Sequence, residues 1–489
     1  MPTGGHFHAL GKNVLLKYAA ETSRLFQMAF FVVVARVSGA GVLGTLTVLI
    51  VTGSLVALIV GDLGINTTTI AKMSGTGEHD RDGVASEALF WKVILSALAL
   101  LLICGALYVT GASASWVEIL AAAVISLGSV WLEFLCALTN GLNRLDVEVW
   151  IRIAYRGVVY GGGTAVAFAG SLNADLVFMA AAGVTVLLVA LALIKHRLLM
   201  LRMMYRGAST ANLLRESLPV WVTQLAQLSY LRFDIVILGL VHVATREIGW
   251  YAAAWKIADV LSVVPALLSG AALPLISGGA ARSGVAVIAP RYLKLMYVLP
   301  FLFALPLAIG AGWITRAFYG PGFDGTPEIL RILVWAVIPI FVHTFLATLA
   351  VAVGRQSEAA KLAAGASILT VVGASILVPR LGYEAMAAVS LVANSLFACA
   401  MICRFRDVTE RSYYPVALKS LGSALAVYWI CSSFLSAAPP LVLVAGGVAA
   451  YCLALLLLRV FSVSQLSRGW RIFVSLLWRR SAIGEVSAA

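Results

Sequence analysis

Residues 219–274 read PVWVTQLAQLSYLRFDIVILGLVHVATREIGWYAAAWKIADVLSVVPALLSGAALP, and this stretch decides the fold. It divides into two long apolar runs joined by a short polar turn near residues 244–247. Each run is long enough to cross a bilayer, which takes about 20 apolar residues of helix. Yet the first run carries Arg232 and Asp234 near its middle, and the second carries Lys256 and Asp259 about a third of the way in. A charge at the bilayer centre costs roughly 2.5–3.5 kcal/mol on insertion scales, so these groups should face the bundle interior or a wet cavity. Arg232 and Asp234 lie two residues apart, about 200° around a helix, and cannot pair with each other. They need partners on other helices, or a ligand. Lys256 and Asp259 are spaced i,i+3 and can pair locally.

The rest of the chain has the same character. Of 489 residues, 61% are hydrophobic and 12% are charged. A water-soluble domain carries about 25% charged residues, so the composition excludes one and requires a polytopic membrane protein. The expected fold is all-α, with fourteen spans near 13–38, 44–68, 86–109, 116–139, 149–170, 173–194, 218–243, 248–276, 292–315, 328–353, 359–378, 383–403, 414–435 and 439–460. The first apolar run continues into a full span without a small-residue cleavage site, so no cleavable signal peptide is expected. The six cysteines all lie in apolar runs and read as small buried hydrophobes.

Charge distribution supplies the orientation. With the N-terminus in the cytoplasm, 27 of the 35 Lys and Arg fall in cytoplasmic connections or at span edges there, five lie outside, and three remain within spans. Cytoplasmic loops are enriched in Lys and Arg, so both termini are expected in the cytoplasm. The net charge of +13 then reflects topology and contact with anionic lipid, and no nucleic-acid partner is expected.

The expected division is an N-terminal six-helix half (1–194), a basic cytoplasmic linker (195–217), a C-terminal six-helix half (218–405), two additional helices (406–461) and a cytoplasmic amphipathic tail (462–489). A shift of 205 residues lays Gly44 on Gly249, so that the first two spans overlie the seventh and eighth. Two six-helix halves around a central cavity are a common transporter plan. In the tail, Leu466, Trp470, Phe473, Val474 and Leu477 share one helical face, as an interfacial helix requires.

Arg24, Arg232 and Lys256 are the three cations left within spans. Fixed cations in a low-dielectric cavity suit a multiply charged anion, while the plainer role is internal pairing with Glu21, Asp234 and Asp259. Lys17, Glu21, Arg24 and Met28 are spaced to share one helix face. Glu133, Glu21, Asp234 and Asp259 are candidates for ion coupling, with hydrogen bonding to a neighbouring helix the plain alternative for Glu133. Asp62 reads as a cap or turn, and His343 as a satisfied buried histidine. Prolines 219, 265, 300, 306 and 339 permit kinks. The glycine run 161–163 allows close helix approach. No Walker motif, no Ser–His–Asp set and no large external domain is present, so no enzyme activity and no cofactor are expected.

Two stretches carry a resemblance. RFDIVILG (232–239), EIGWYAAAWKIAD (247–259) and the terminal AALP (271–274) are similar to the seventh and eighth helices of bacterial polysaccharide-repeat-unit flippases of the multidrug/oligosaccharidyl-lipid/polysaccharide exporter superfamily. Residues 35–75 resemble the first and second helices of that family, where a Gly-rich turn follows helix 1 and a D-x-G pair closes helix 2. The resemblance implies alternating-access transport of an undecaprenyl-pyrophosphate-linked oligosaccharide across the bacterial inner membrane. It also implies a cationic cavity for the pyrophosphate, carried here onto Arg24, Arg232 and Lys256. Membrane lipids, and a polysaccharide polymerase with export machinery, are the implied partners. A lipid II flippase would share these features. A multidrug antiporter would have twelve spans and an acidic cavity. A membrane polymerase or ligase would need a sizeable catalytic external loop.

Overall fold

The computed structural model describes residues 24–75, 78–110, 114–142, 144–168, 208–277, 281–407, 414–433 and 439–460. They form fourteen helices: α1 Arg24–Asp62, α2 Ile65–Gly75, α3 Glu78–Thr110, α4 Trp116–Gly141, α5 Leu145–Phe168, α6 Ala208–Leu240, α7 Thr245–Ser277, α8 Ala281–Ile309, α9 Ala311–Tyr319, α10 Thr326–Ala352, α11 Gln356–Leu381, α12 Glu384–Arg404, α13 Tyr414–Ser433 and α14 Pro440–Leu457. No strand occurs among the described residues. Ten of these helices are long and apolar enough to cross a membrane. In hydrocarbon every backbone polar group needs an internal partner, which a helix supplies from its own chain.

Thirteen of the fourteen expected spans coincide with helices; the sixth, at 173–194, lies outside the described residues, as does the tail. The first two spans are the two arms of α1, separated at Gly39, whose φ of 80° takes the chain out of the helix within the expected Gly-rich turn. Helix α6 begins at Ala208, ten residues ahead of the expected seventh span, so the end of the anticipated linker is already helical. The short helices α2 and α9 were not anticipated. Local sequence explains the start of α4: Ser115 accepts from the Glu118 N–H (3.2 Å) while the Glu118 carboxylate accepts from the Ser115 N–H (2.8 Å). This is the capping box written as S-x-x-E. Prolines 219, 300, 306 and 339 are accommodated inside α6, α8 and α10.

The bundle has two ends, named here by the turns at Gly39 and Gly64. The first arm of α1 and helices α3, α5 and α6 run toward the Gly39 end; the second arm of α1, α4 and α7 run back. Buried side chains of α1, α4, α5 and α7 share one core that includes Phe30, Phe31, Leu43 and Tyr251. A second core joins α7, α8, α10, α11 and α12 around Phe341, Phe345 and Met401. Helices α13 and α14 pack onto α8, where the Tyr451 hydroxyl donates to the Val298 carbonyl at 3.2 Å.

Lipid tails are as apolar as leucine, so close packing, not hydrophobic exclusion, holds such helices together. The tightest crossing joins α1 to α7. A Cβ on Gly44 would overlap the Thr245 carbonyl oxygen, and a Cβ on Gly249 would overlap the Ala40 carbonyl oxygen. The contact is reciprocal, since Ala40 and Thr245 stand 205 residues apart, as do Gly44 and Gly249.

Candidate functional site: a polar cavity and embedded charge pairs

Helices α6, α7, α10, α11 and α12 enclose a cavity of about 70 Å³. Its polar lining is Asp234, Asp259, Ser262, Thr370, Ser390 and Asn394. Asp234 is 6% exposed. One of its carboxylate oxygens accepts from the Ile235 N–H and the other from the Tyr251 hydroxyl, both at 2.8 Å. The Tyr251 oxygen stands 3.5 Å from Ser390 Oγ. One turn further along α12, the Asn394 amide donates to the Ser390 carbonyl, and its Oδ1 lies 3.1 Å from Nε2 of buried His343. Carboxylate, hydroxyl and amide oxygens converging in an apolar bundle suit a proton or a small hard cation. Asp259 joins the same cavity and accepts from the Ser262 hydroxyl at 3.3 Å. The sequence flags both aspartates; Tyr251, Ser390 and Asn394 went unnoticed. The spacing of Ser390 and Asn394, one helical turn apart in an apolar run, was the available signal.

The embedded cations have different surroundings. Lys256 of α7 places its ammonium 3.9 Å from the centroid of the Phe31 ring of α1, a cation–π contact bridging the two helices. Arg24 and Arg232 are placed by their helices, near the start of α1 and in the last third of α6. Glu21 lies outside the described residues.

Two charges assigned to span edges prove to be embedded. Lys92 of α3 is wholly buried and bonds Asp62 at 3.2 Å, with the Phe134 ring 5.6 Å away. Asp62 also accepts from the Asn66 N–H at 3.3 Å, which is the expected cap, now with a buried partner. Arg152 of α5 spreads its guanidinium over both oxygens of Glu133 on α4, the Nη2–Oε2 bond measuring 2.8 Å, and its Nε donates to Glu148 at 2.9 Å. Glu133 therefore takes the helix-bridging role, through an ion pair. These two corrections mean that Arg24, Arg232 and Lys256 are not the only cations within the helices. Position along a sequence fixes depth to within a few residues, too coarse to separate an edge lysine from a buried one.

Long apolar helices with paired charges and a polar cavity at their interior define a multi-pass membrane protein. Solved structures of the same fold include the lipid II flippase MurJ in an inward closed conformation, with TM-score 0.70, 15% identity and coverage of 90% of this chain and 98% of that one. An inward-facing multidrug resistance MATE family transporter of the MOP superfamily gives TM-score 0.62 and 16% identity over 79% and 94%. A MOP superfamily transporter from Pyrococcus furiosus, described by the reverse polarity of its binding pocket, gives 0.55 and 14% over 81% and 93%. No curated protein matches the sequence. The polysaccharide biosynthesis protein family model matches residues 10–279, more than half of the chain, and the protein belongs to that family.

Proposed function

We propose that this protein is a flippase that moves an undecaprenyl-pyrophosphate-linked oligosaccharide across the bacterial inner membrane for polysaccharide assembly. The observation that carries the reading is the set of cations held within apolar helices of a polysaccharide biosynthesis family member, with Lys256 on α7 reaching across to α1. Each such charge is costly in a bilayer, and an anionic head group provides the compensating interaction. In this reading two six-helix halves rock about a central cavity, the sugar and pyrophosphate cross through it, and the lipid tail stays in the bilayer. Arg24, Arg232 and Lys256 hold the pyrophosphate. Asp234, with Asp259, couples transport to an ion gradient; Glu21 and Glu133 are the further candidates. Both termini and the Gly64 end face the cytoplasm, and a polysaccharide polymerase with export machinery takes the product onward.

Cells lacking the protein should accumulate lipid-linked oligosaccharide on the cytoplasmic side and export no polysaccharide. Arg232→Gln at normal membrane levels should fail to restore export. Arg232→Lys should restore part of it if charge alone matters, and little if a bidentate grip is required. Normal export by Arg232→Gln would sink the assignment of the cations. Likeness to MurJ over nearly the whole of both chains supports a second reading, a lipid II flippase. Rescue of cells depleted of their own lipid II flippase would favour it.

A further inference from the structure

Arg152 of α5 is bracketed by Glu133 of α4 and Glu148 of its own helix, with Arg156 one turn further along α5. The site is not sealed: the Glu133 side chain is 45% exposed and that of Arg152 20%. The guanidinium fork faces open space on the Glu133 side.

Its height in the bundle is set by packing. The rings of Phe30 on α1 and Tyr160 on α5 lie 5.7 Å apart, and both helices run toward the Gly39 end. Arg24 lies six residues before Phe30, while Arg156 and Arg152 lie four and eight before Tyr160. At about 1.5 Å rise per residue, Arg24 therefore sits on α1 level with the interval between Arg152 and Arg156. Lys256, over Phe31, stands about 10 Å further toward the Gly39 end on the same rise.

We propose that Arg152 is the first receiving site for the substrate's pyrophosphate, and that Glu133 is a resident counter-ion which the pyrophosphate displaces in exchange for a proton. The proposal rests on the flippase reading for the identity of the anion. On arrival, the two N–H···O bonds from Arg152 to Glu133 break and two form to phosphate oxygens, a geometry the guanidinium fork matches equally well. Glu133 is then left beside the pyrophosphate and Glu148 without its cation. In the proposed exchange it takes one proton from water in place of its lost cation. When the pyrophosphate moves on toward Lys256, the proton leaves and the ion pair re-forms. Substrate and proton thus enter and leave together. The other charged or titratable groups around Glu133 include Arg156 on α5, the Cys136 thiol on α4 and Lys92 on α3, which is held by Asp62.

The test is calorimetric binding of farnesyl pyrophosphate to the purified full chain in nanodiscs, in two buffers of different ionisation enthalpy, which counts protons exchanged. The wild type should take up about one proton per molecule bound. Glu133→Gln should bind at least as tightly with uptake near zero, and Glu148→Gln should retain the uptake. Arg152→Gln should weaken binding by about tenfold or more; Arg152→Lys, which keeps the charge, should fold and also bind more weakly. Undiminished proton uptake in Glu133→Gln, wild-type affinity in both Arg152 variants, or wild-type binding with no uptake or no binding at all would each overturn the exchange. The export assay keeps this apart from the parent reading. Protein-dependent export without proton uptake removes the exchange alone, whereas absence of any lipid-linked intermediate in cells lacking the protein removes the flippase.

Discussion

The two ends of the bundle are closed by different chemistry. At the Gly39 end, backbone lies on backbone: Ala40 and Gly44 of α1 meet Thr245 and Gly249 of α7, and the Arg36 guanidinium donates to the Ala317 and Phe318 carbonyls at the end of α9. At the Gly64 end, a Cβ on Gly64 would overlap the Ser217 carbonyl oxygen of α6, and side chains supply the other contacts to the first half of that helix. The Trp221 indole donates to the Ile59 carbonyl (2.8 Å), Gln224 to the Thr67 hydroxyl (3.0 Å), the Trp91 indole to the Thr210 carbonyl (2.8 Å), and Lys72 pairs with Glu216 (3.0 Å). A seam of glycines lets two backbones approach closely and leaves no room for water between them. Separate polar contacts, each worth about 0.5–1.5 kcal/mol, can be exchanged for water one at a time. The Gly64 end, with one glycine contact and four polar ones to α6 among the described residues, is expected to open more readily than the reciprocal glycine seam. In the proposed orientation that end is the cytoplasmic one.

The largest expected effect probes the exception at the Gly64 end, the one wholly buried ion pair there among the described residues. Lys92→Ala leaves Asp62 buried without its cation and should destabilise the protein by about 3–5 kcal/mol. A large fall in the thermal transition in detergent would show this. Replacing Lys92 and Asp62 together by apolar residues should restore much of the loss. A fall of less than a degree in Lys92→Ala would mean that the turn at Gly64 does not depend on the pair.

Next comes the glycine seam. Gly249→Leu drives a side chain into the Ala40 backbone and should cost about 1–3 kcal/mol or more by overpacking. Beyond stability, it should wedge the Gly39 end open. A cysteine placed at Ser390, beside the cavity, should then react faster with a membrane-impermeant thiol reagent added from that side. Unchanged labelling would remove the distinction between the two ends.

Trp221→Phe deletes one indole donor at the Gly64 end and leaves the Ile59 carbonyl to water. A cost of about 0.5–1.5 kcal/mol is expected, with faster labelling from the Gly64 side and none from the other. The smallest effect belongs to Lys72→Gln. Both partners of that ion pair are substantially exposed, so a loss of under about 1 kcal/mol is expected, vanishing in high salt. A salt-independent loss from Lys72→Gln would place that lysine in a tighter site than its exposure indicates.

Much of the architecture was legible without coordinates. Apolar run length and the polar punctuation between runs placed thirteen spans on twelve helices, with the break at Gly39 and the cap at Asp62, because each of these depends on residues within a few positions of one another. The same reading singled out Asp234 and Asp259, since an ionised group in the middle of an apolar run is conspicuous whatever surrounds it. Partners were another matter. Lys92 meets Asp62 across 30 positions, Arg152 meets Glu133 across 19, and Asp234 reaches Ser390 only by way of the Tyr251 hydroxyl. The 205-residue shift likewise aligned Gly44 with Gly249, but their facing one another was a fact of packing. Hydrophobicity and local spacing decide which segments become helices. Which charges are neutralised, and which glycines touch, depends on how far each helix is rotated and raised against its neighbours, and that is fixed only when all of them pack at once.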